Sequence, residues 1–360
     1  EQSDGKTRAI LNISGVDTYF ESSTLVTGSY TAEQIKNKIK VYVNGKETST
    51  GITVNISDQE YLTEKRYTNK IEETVRYGVK YKLTISGLNT EANKIEIEVQ
   101  EGVVKDNSEN VNEKTKFIIY SKLKTTSSET AGTSTFLGIS GITRQQIEKI
   151  VFVDSKDKVL GNTKYNVAAD GGDSIIAGYV DSDGNGKYEV YVGSDGYIFA
   201  NNNSSYLFAN TVIKEIEGFE TIGTSTITNL GSMFENCKEM TSIDLGEEFD
   251  TEKVTNMSKM FNGCIKATTI NLGNNFNTEN VTDMSYMFNG CSSLTGLVLD
   301  EKFKVSKVTN MNYMFNDCTK MQTLDLGKAF TQISGKNTNF VTNLGKSATN
   351  PVIYVGEAIY

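Results

Sequence analysis

The sequence predicts a mainly β chain with short helices (α+β), in which a β-sandwich precedes a solenoid that carries a parallel sheet. Two observations carry the solenoid. Cys237, Cys264, Cys291 and Cys318 recur at one constant interval of twenty-seven positions, and each closes a unit begun by Met233-Phe234, Met260-Phe261, Met287-Phe288 or Met314-Phe315. Like coils stacked on one another generate such a fixed interval, because each buries its apolar face only against its neighbours. The sandwich rests on a third observation: residues 1–121 alternate apolar and polar in short runs and contain no repeat.

Aligned on cysteine, the columns of the repeat follow in order. An apolar residue stands three positions on (Met240, Ala267, Leu294, Met321), then an alternating pair: Ile243/Leu245, Ile270/Leu272, Leu297/Leu299, Leu324/Leu326. Spacing by two predicts a strand. Phe249, Phe276, Phe303 and Phe330 come next, then Val254, Val281 and Val308. Met257, Met260, Phe261 and Cys264 fall at i, i+3, i+4 and i+7, which predicts a short helix. Asn256, Asp283 and Asn310 are its expected N-caps, and Gly263, Gly290 and Asp317 its stop. Phe234, Cys237, Phe261, Cys264, Phe288, Cys291, Phe315 and Cys318 are the predicted structural core.

The ends are atypical, as capping requires. Upstream, Leu207 precedes Phe234 by one full repeat interval, and Asn210 stands in the cysteine's place. Downstream, residues 341–344 are aligned with 308–311 after a six-residue insertion, and residues 352–355, behind the only proline, Pro351, are expected to close the stack. The solenoid is placed at 213–344 and the closing strand in 345–360. Five or six parallel strands at roughly 4.8 Å each would form one sheet about 25–30 Å long.

In the first half, strands are expected at 9–13, 40–43, 52–56, 81–85, 95–99 and 116–120, with turns at Asn44-Gly45, Ser86-Gly87 and Asn107-Ser108. A short helix is expected over 31–38. The Ser/Thr-rich stretch 122–135 is read as a linker.

Composition narrows the function classes. A net charge of -9 argues against nucleic acid or an anionic membrane as partner. No run of 18 apolar residues predicts a membrane span. The opening Glu1-Gln2-Ser3-Asp4-Gly5 is polar, and a start without Met is expected of a processed or truncated chain. The chain has no histidine, which removes Ser-His-Asp and Cys-His nucleophile systems and histidine metal sites. The cysteines recur at one place per coil, so they are read as a buried ladder of thiols rather than as disulfides or a zinc site.

Several candidate sites remain. Asp181, Asp183, Asn185 and Gly186 match the first half of a calcium loop, but Val192 holds the position of its bidentate glutamate and the flanks read as strands. A hairpin turn is the first reading, and a weak structural calcium site the second. No other cofactor is expected. Asp106 and Asn112 are read as a turn, with calcium as the alternative. The strand residues beside each buried centre point outward: Glu215 and Glu217, Ser242 and Asp244, Thr269 and Asn271, Gly296 and Val298, Thr323 and Asp325. They form a small, mildly acidic face suited to a protein loop or glycan, or one that is merely solvated. Tyr286 and Tyr313 are expected to be exposed on another face. Lysine–asparagine isopeptide links in the sandwich are a further option that the sequence does not locate.

The repeat resembles a known family. The stretch 281–299, preceded by 276–280, is similar to the BspA-like leucine-rich repeats of bacterial surface proteins. Phe136-Leu137-Gly138, residues 144–148 and the segment from Asp181 to Glu189 resemble the β-rich cap that often precedes such repeats, placed here at 136–212. Tyr179 stands where that cap often carries tryptophan, and this chain has no Trp. Residues 81–87, 95–99, 102–106 and 110–112 resemble bacterial immunoglobulin-like domains, with Glu109 in place of a usual glycine. These resemblances imply an immunoglobulin-like sandwich before a β-capped leucine-rich-repeat solenoid. They imply a non-enzymatic protein, secreted or on the bacterial cell surface, that serves adhesion by binding a protein or glycan on a host, matrix or neighbouring cell. The competing reading is an accessory module, glycan-binding or spacer, of a larger secreted enzyme.

Overall fold

The computed structural model describes residues 9–12, 16–22, 37–49, 53–68, 71–86, 92–100, 114–125, 135–299, 301–328, 330 and 339–354. Over them the protein is mainly β, with small sheets and three single-turn 3-10 helices. It divides into two compact units, residues 1–120 and 121–360.

In the first unit, β1 (Ala9–Asn12), β2 (Val16–Ser22), β5 (Thr53–Thr68) and β6 (Ile71–Ser86) make an antiparallel sheet in the order β1-β2-β6-β5. The β5–β6 ladder runs from Thr53↔Ser86 to Thr68↔Ile71, far beyond the expected strands at 52–56 and 81–85. Alternation does continue through Val75, Tyr77, Val79 and Tyr81, but the interleaved charges obscure it. A second sheet holds β3 (Ile39–Val43), β4 (Lys46–Thr48) and β7 (Lys94–Val99), with β8 (Thr115–Lys122) following in sequence. Asn44 and Gly45 turn β3 into β4 with φ of 50° and 78°, the left-handed pair that a two-residue hairpin needs. Residues 31–36 of the expected helix, and Asp106 and Asn112, lie outside the described residues.

The second unit opens with residues 121–125 already packed into it. Leu123 is buried, its N–H donates to the Phe199 carbonyl (2.9 Å), and Lys122 Nζ donates to Asn202 Oδ1 (2.6 Å). Residues 126–134 of the expected linker are outside the described set. Next come β9 (Ile147–Val153), β10 (Tyr165–Asn166), β11 (Ile176–Val180), β12 (Tyr188–Gly193), β13 (Tyr197–Phe199) and β14 (Glu215–Glu217). Five of these form a mixed sheet, β10-β11-β12-β9-β14, in which β9 is parallel to both β12 and β14. Arg144 precedes β9 and is fully buried. Its Nη1 donates to the carbonyls of Tyr206 (2.8 Å), Leu207 (3.0 Å) and Ala209 (3.0 Å).

From there the repeats lie parallel, one upon the next. Asn229, Asn256, Asp283 and Asn310 are bridged in series. The strands β15 (Ser242–Asp244), β16 (Thr269–Asn271), β17 (Gly296–Val298), β18 (Thr323–Asp325) and β19 (Val352–Tyr354) recur at the predicted pair. They do not form the single sheet expected. β15 pairs with β16, and β17 with β18 and β19, while β16 and β17 are unpaired and are joined just before their first residues, where Thr295 N–H and Oγ1 both donate to the Thr268 carbonyl (3.3 Å each). Gly296 is a poor strand former at this step.

The expected short helix does not form. Residues 258–263 make consecutive turns, with Lys259 and Gly263 at φ of 58° and 74°. Met260, Asn262 and Cys264 donate to the residue three back (3.0–3.2 Å), while Met257, Lys259, Phe261 and Gly263 donate across to Asp283, Ser285, Met287 and Asn289 (2.8–2.9 Å). A helix would spend its amides on carbonyls four residues back in the same segment; here every other amide ties one repeat to the next. Asn256, Asp283 and Asn310 are therefore not helix caps. Their Oδ1 atoms accept from the N–H two residues on, at 2.9, 2.8 and 3.2 Å, an Asx turn. The i, i+3, i+4, i+7 spacing looks the same for a helix and for turns of three residues with a left-handed corner.

Two register expectations also change. Phe208, not Leu207, lies on Phe234 (centroids 5.2 Å), and Thr211, not Asn210, takes the cysteine's place, with its Oγ1 3.7 Å from Cys237 Sγ. The first step is thus one residue shorter than the later ones. At the other end, Asp317 N–H donates to the Thr342 carbonyl, and Asn343 shares the left-handed corner of Asp317. Residues 341–344 therefore cover 315–318, not the place of 308–311.

Candidate functional site

The core beneath the strands is built of like residues in files. Phe234, Phe261, Phe288 and Phe315 stack at 5.6, 5.4 and 5.3 Å. All four thiols are free and buried. Cys237, Cys264, Cys291 and Cys318 donate to the carbonyls of Phe208, Phe234, Phe261 and Phe288 at 3.1–3.2 Å. Burial pushes Cys237 and Cys318 up to about 12, and Cys264 and Cys291 well above the usual thiol range. These thiols stay protonated and unreactive.

A rigid base of this kind fixes what the strand ends present. Ile243, Ile270, Leu297 and Leu324 point inward. Ser242, Asp244, Thr269, Asn271, Val298 and Thr323 are exposed, while Gly296 and Asp325 are half-buried. Ser242 Oγ lies 3.0 Å from Thr269 Oγ1, and Asn271 Nδ2 donates to Asp244 Oδ1 (3.1 Å). Val298 is 71% exposed, an apolar side chain in an otherwise polar row.

The face extends beyond the residues singled out from the repeat. Glu189 on β12 pairs with Lys149 on β9, which pairs with Glu215, and Tyr191 pairs with Val151, which pairs with Glu217. Lys149 bonds Glu217 and stands 3.6 Å from Glu215. The bond to Glu217 holds its ammonium above the usual lysine range. Ser182 and Tyr191 donate to Glu189 and hold its carboxyl below the usual range. Sequence reasoning missed Lys149, Glu189 and Tyr191, because the apolar run Ile150-Val151-Phe152-Val153 and the stretch 188–192 do not alternate and so do not mark an outward side. It also missed a file of buried hydroxyls in three successive repeats, Thr224, Thr251 and Thr278, which Val305 ends in the next.

Between β14 and β15 the face opens into a cleft of about 450 Å³. Phe219, Phe234, Met240 and Ile243 make its buried floor, while Lys214, Glu215, Ser242 and Asp244 stand among its lining residues. Ile216 is half-buried, where its counterpart Ile243 is covered. Glu215, Ser242 and Asp244 are thus brought to one opening. Thr269, Asn271, Val298, Thr323 and Asp325 lie farther along the strand series.

The other candidates fall elsewhere. Asp181 Oδ1 and Oδ2 accept from the N–H groups of Asn185 (3.1 Å) and Gly186 (3.0 Å), and Asp183 Oδ1 also accepts from Asn185 (3.1 Å). The loop closes the β11–β12 hairpin, and Asn185 Nδ2 donates to Glu148 (3.1 Å). Among the described residues no group of three His, Cys, Asp or Glu is placed to hold a metal. Tyr286 and Tyr313, expected to be exposed, are half-buried and stacked at 4.8 Å, because both occupy the same left-handed corner of successive repeats.

The region that carries this face has a recognisable relative. A family model described as "Mycoplasma protein of unknown function, DUF285" matches residues 202–329. The match spans β14 through β18, and so includes the cleft and most of the outward strand residues. No curated protein and no solved structure matches the chain. No helix among the described residues is long and apolar enough to cross a membrane.

Proposed function

We propose that this chain is a non-enzymatic recognition protein, secreted or on a bacterial cell surface, whose leucine-rich-repeat solenoid binds a protein or glycan through the outward strand face. In this reading residues 1–121 are an immunoglobulin-like spacer or second binding module. The repeat resembles BspA-like surface proteins, and the description of the matching family, a Mycoplasma protein, fits a bacterial source. The observation that carries the proposal is the contrast between the two sides of each strand. The inner side is an apolar file, and the outer side is a row of short polar groups flanking a cleft. Chemistry on a bound substrate needs a poised acid, base or nucleophile. The buried thiols are held protonated, and the face offers short hydrogen-bonding groups suited to recognition.

The test is to probe immobilised matrix proteins and a glycan array with the purified chain and with an Asn271→Ala/Asp325→Lys variant. Saturable binding that the variant loses is expected. Binding that is indifferent to the face overturns the proposal. A glycan as the sole ligand shifts it toward an accessory module of a larger enzyme.

A further inference from the structure

The cleft deepens the recognition reading and rests on it. β14 ends one sheet and β15 begins another, so each presents an open edge to the gap. The two strands are not paired across it. The gap is bounded. On one side Asn236 Nδ2 bonds Asn210 Oδ1 (2.9 Å), and on the other Asp250 N–H bonds Thr224 Oγ1 (2.8 Å).

The backbone groups at its walls can be assigned. Lys214 N–H donates to Glu148 on the β9 side (2.8 Å), and Leu245 N–H donates to Asn271 on the β16 side (3.1 Å). Alternation along a strand then turns the peptide groups of Glu215 and Glu217, and of Ser242 and Asp244, toward the gap. We infer that the gap between β14 and β15 is a strand-addition site for an extended peptide of basic–apolar–basic sequence from a partner protein.

Each feature of the occupant follows from a wall. Main-chain groups pair with the two open edges, as in other strand additions. The central side chain points inward onto Phe219, Phe234 and Met240, covering Ile216. Its neighbours point outward, level with Glu215 and Ser242 on one side and Glu217 and Asp244 on the other. Glu215, Glu217 and Asp244 still outnumber Lys149, which bonds Glu217 and pairs with Glu215 at 3.6 Å, and Lys214 is tied to Glu148 (2.6 Å), so the net acidic rim favours lysine or arginine.

The experiment uses the full chain and fluorescein-labelled Thr-Lys-Val-Lys-Thr, read by polarisation at low salt. Saturable binding is expected, at least tenfold weaker for Thr-Glu-Val-Glu-Thr, for the peptide N-methylated at valine, and for the Asp244→Lys chain. Circular dichroism confirms that the variant is folded. No binding at millimolar peptide, binding that survives N-methylation, or binding unchanged by Asp244→Lys overturns the inference. So does self-association of the chain that Asp244→Lys abolishes. If the peptide fails while a matrix or glycan ligand still binds through Asn271 and Asp325, the inference falls and the proposed function stands.

Discussion

The Sγ of Cys291 donates to the carbonyl of Phe261, in the preceding repeat, at 3.2 Å. The same bond recurs at each of the other three cysteines. The thiol is therefore both a small apolar filler and the donor that satisfies a buried carbonyl of its neighbour.

Burial of these thiols makes stability depend on alkaline pH. An unfolded thiol ionises near pH 8.5, while burial holds Cys237 and Cys318 at about 12 and raises the other two. Above about pH 8.5 the unfolded chain loses protons that the folded chain keeps, so stability is full below that pH and falls as pH rises toward 12. The expected slope is about 1.4 kcal/mol per pH unit per thiol. Urea midpoints measured from pH 7 to 10 check the slope, and Ellman's reagent is expected to find no reactive thiol in the folded chain and four after denaturation.

The phenylalanine file predicts a contrast between the two sides of a strand. Phe288 is wholly buried between Phe261 and Phe315, so Phe288→Ala costs about 3–5 kcal/mol. Asn271→Ala, on the exposed face, changes stability by less than about 0.5 kcal/mol. Chemical denaturation of both variants decides; equal costs would reverse the assignment of inner and outer faces.

A second file is polar. Asn289 Nδ2 donates to Asn262 Oδ1, and Asn289 Oδ1 accepts from Asn316 Nδ2, both at 2.7 Å. Asn289→Asp keeps the acceptor and loses the donor, leaving two acceptors face to face. A loss of about 1–2 kcal/mol is expected near neutral pH, partly recovered on acidification as the new carboxyl gains a proton to donate. Thermal melts at pH 7 and pH 4, compared with the parent chain, test it.

Arg144 supports the entry to the repeats. One Nη1 serves three carbonyls, from Tyr206 to Ala209, which form the corner on which the first repeat rests. Arg144→Met removes those donors from a buried site and costs about 3–5 kcal/mol. Arg144→Lys does not restore the parent value, since an ammonium lacks the planar fork. A lysine variant as stable as the parent would show that charge alone matters.

Much of this architecture was legible because repetition amplifies weak signals. One Met-Phe-x-x-x-Cys is uninformative; four at a constant interval locate Phe261, Cys264 and the inward Ile270 without coordinates. The outward positions Ser242, Asp244, Thr269 and Asn271 followed from alternation alone. What misled was a degeneracy. Met257, Met260, Phe261 and Cys264 share a face in a helix, and equally in three successive turns with Lys259 left-handed. Only the destination of the amides separates the two.

By itself, then, the sequence determined the period, the buried files and the side of each strand that faces out, because these follow from which side chains avoid water. The tertiary structure decided the rest. It converted helix to turns, shortened the first step by a residue, and parted β14 from β15 so that a cleft opens over Phe219 and Phe234. Those outcomes depend on where backbone hydrogen bonds go between segments distant in sequence, and every residue type carries the same backbone.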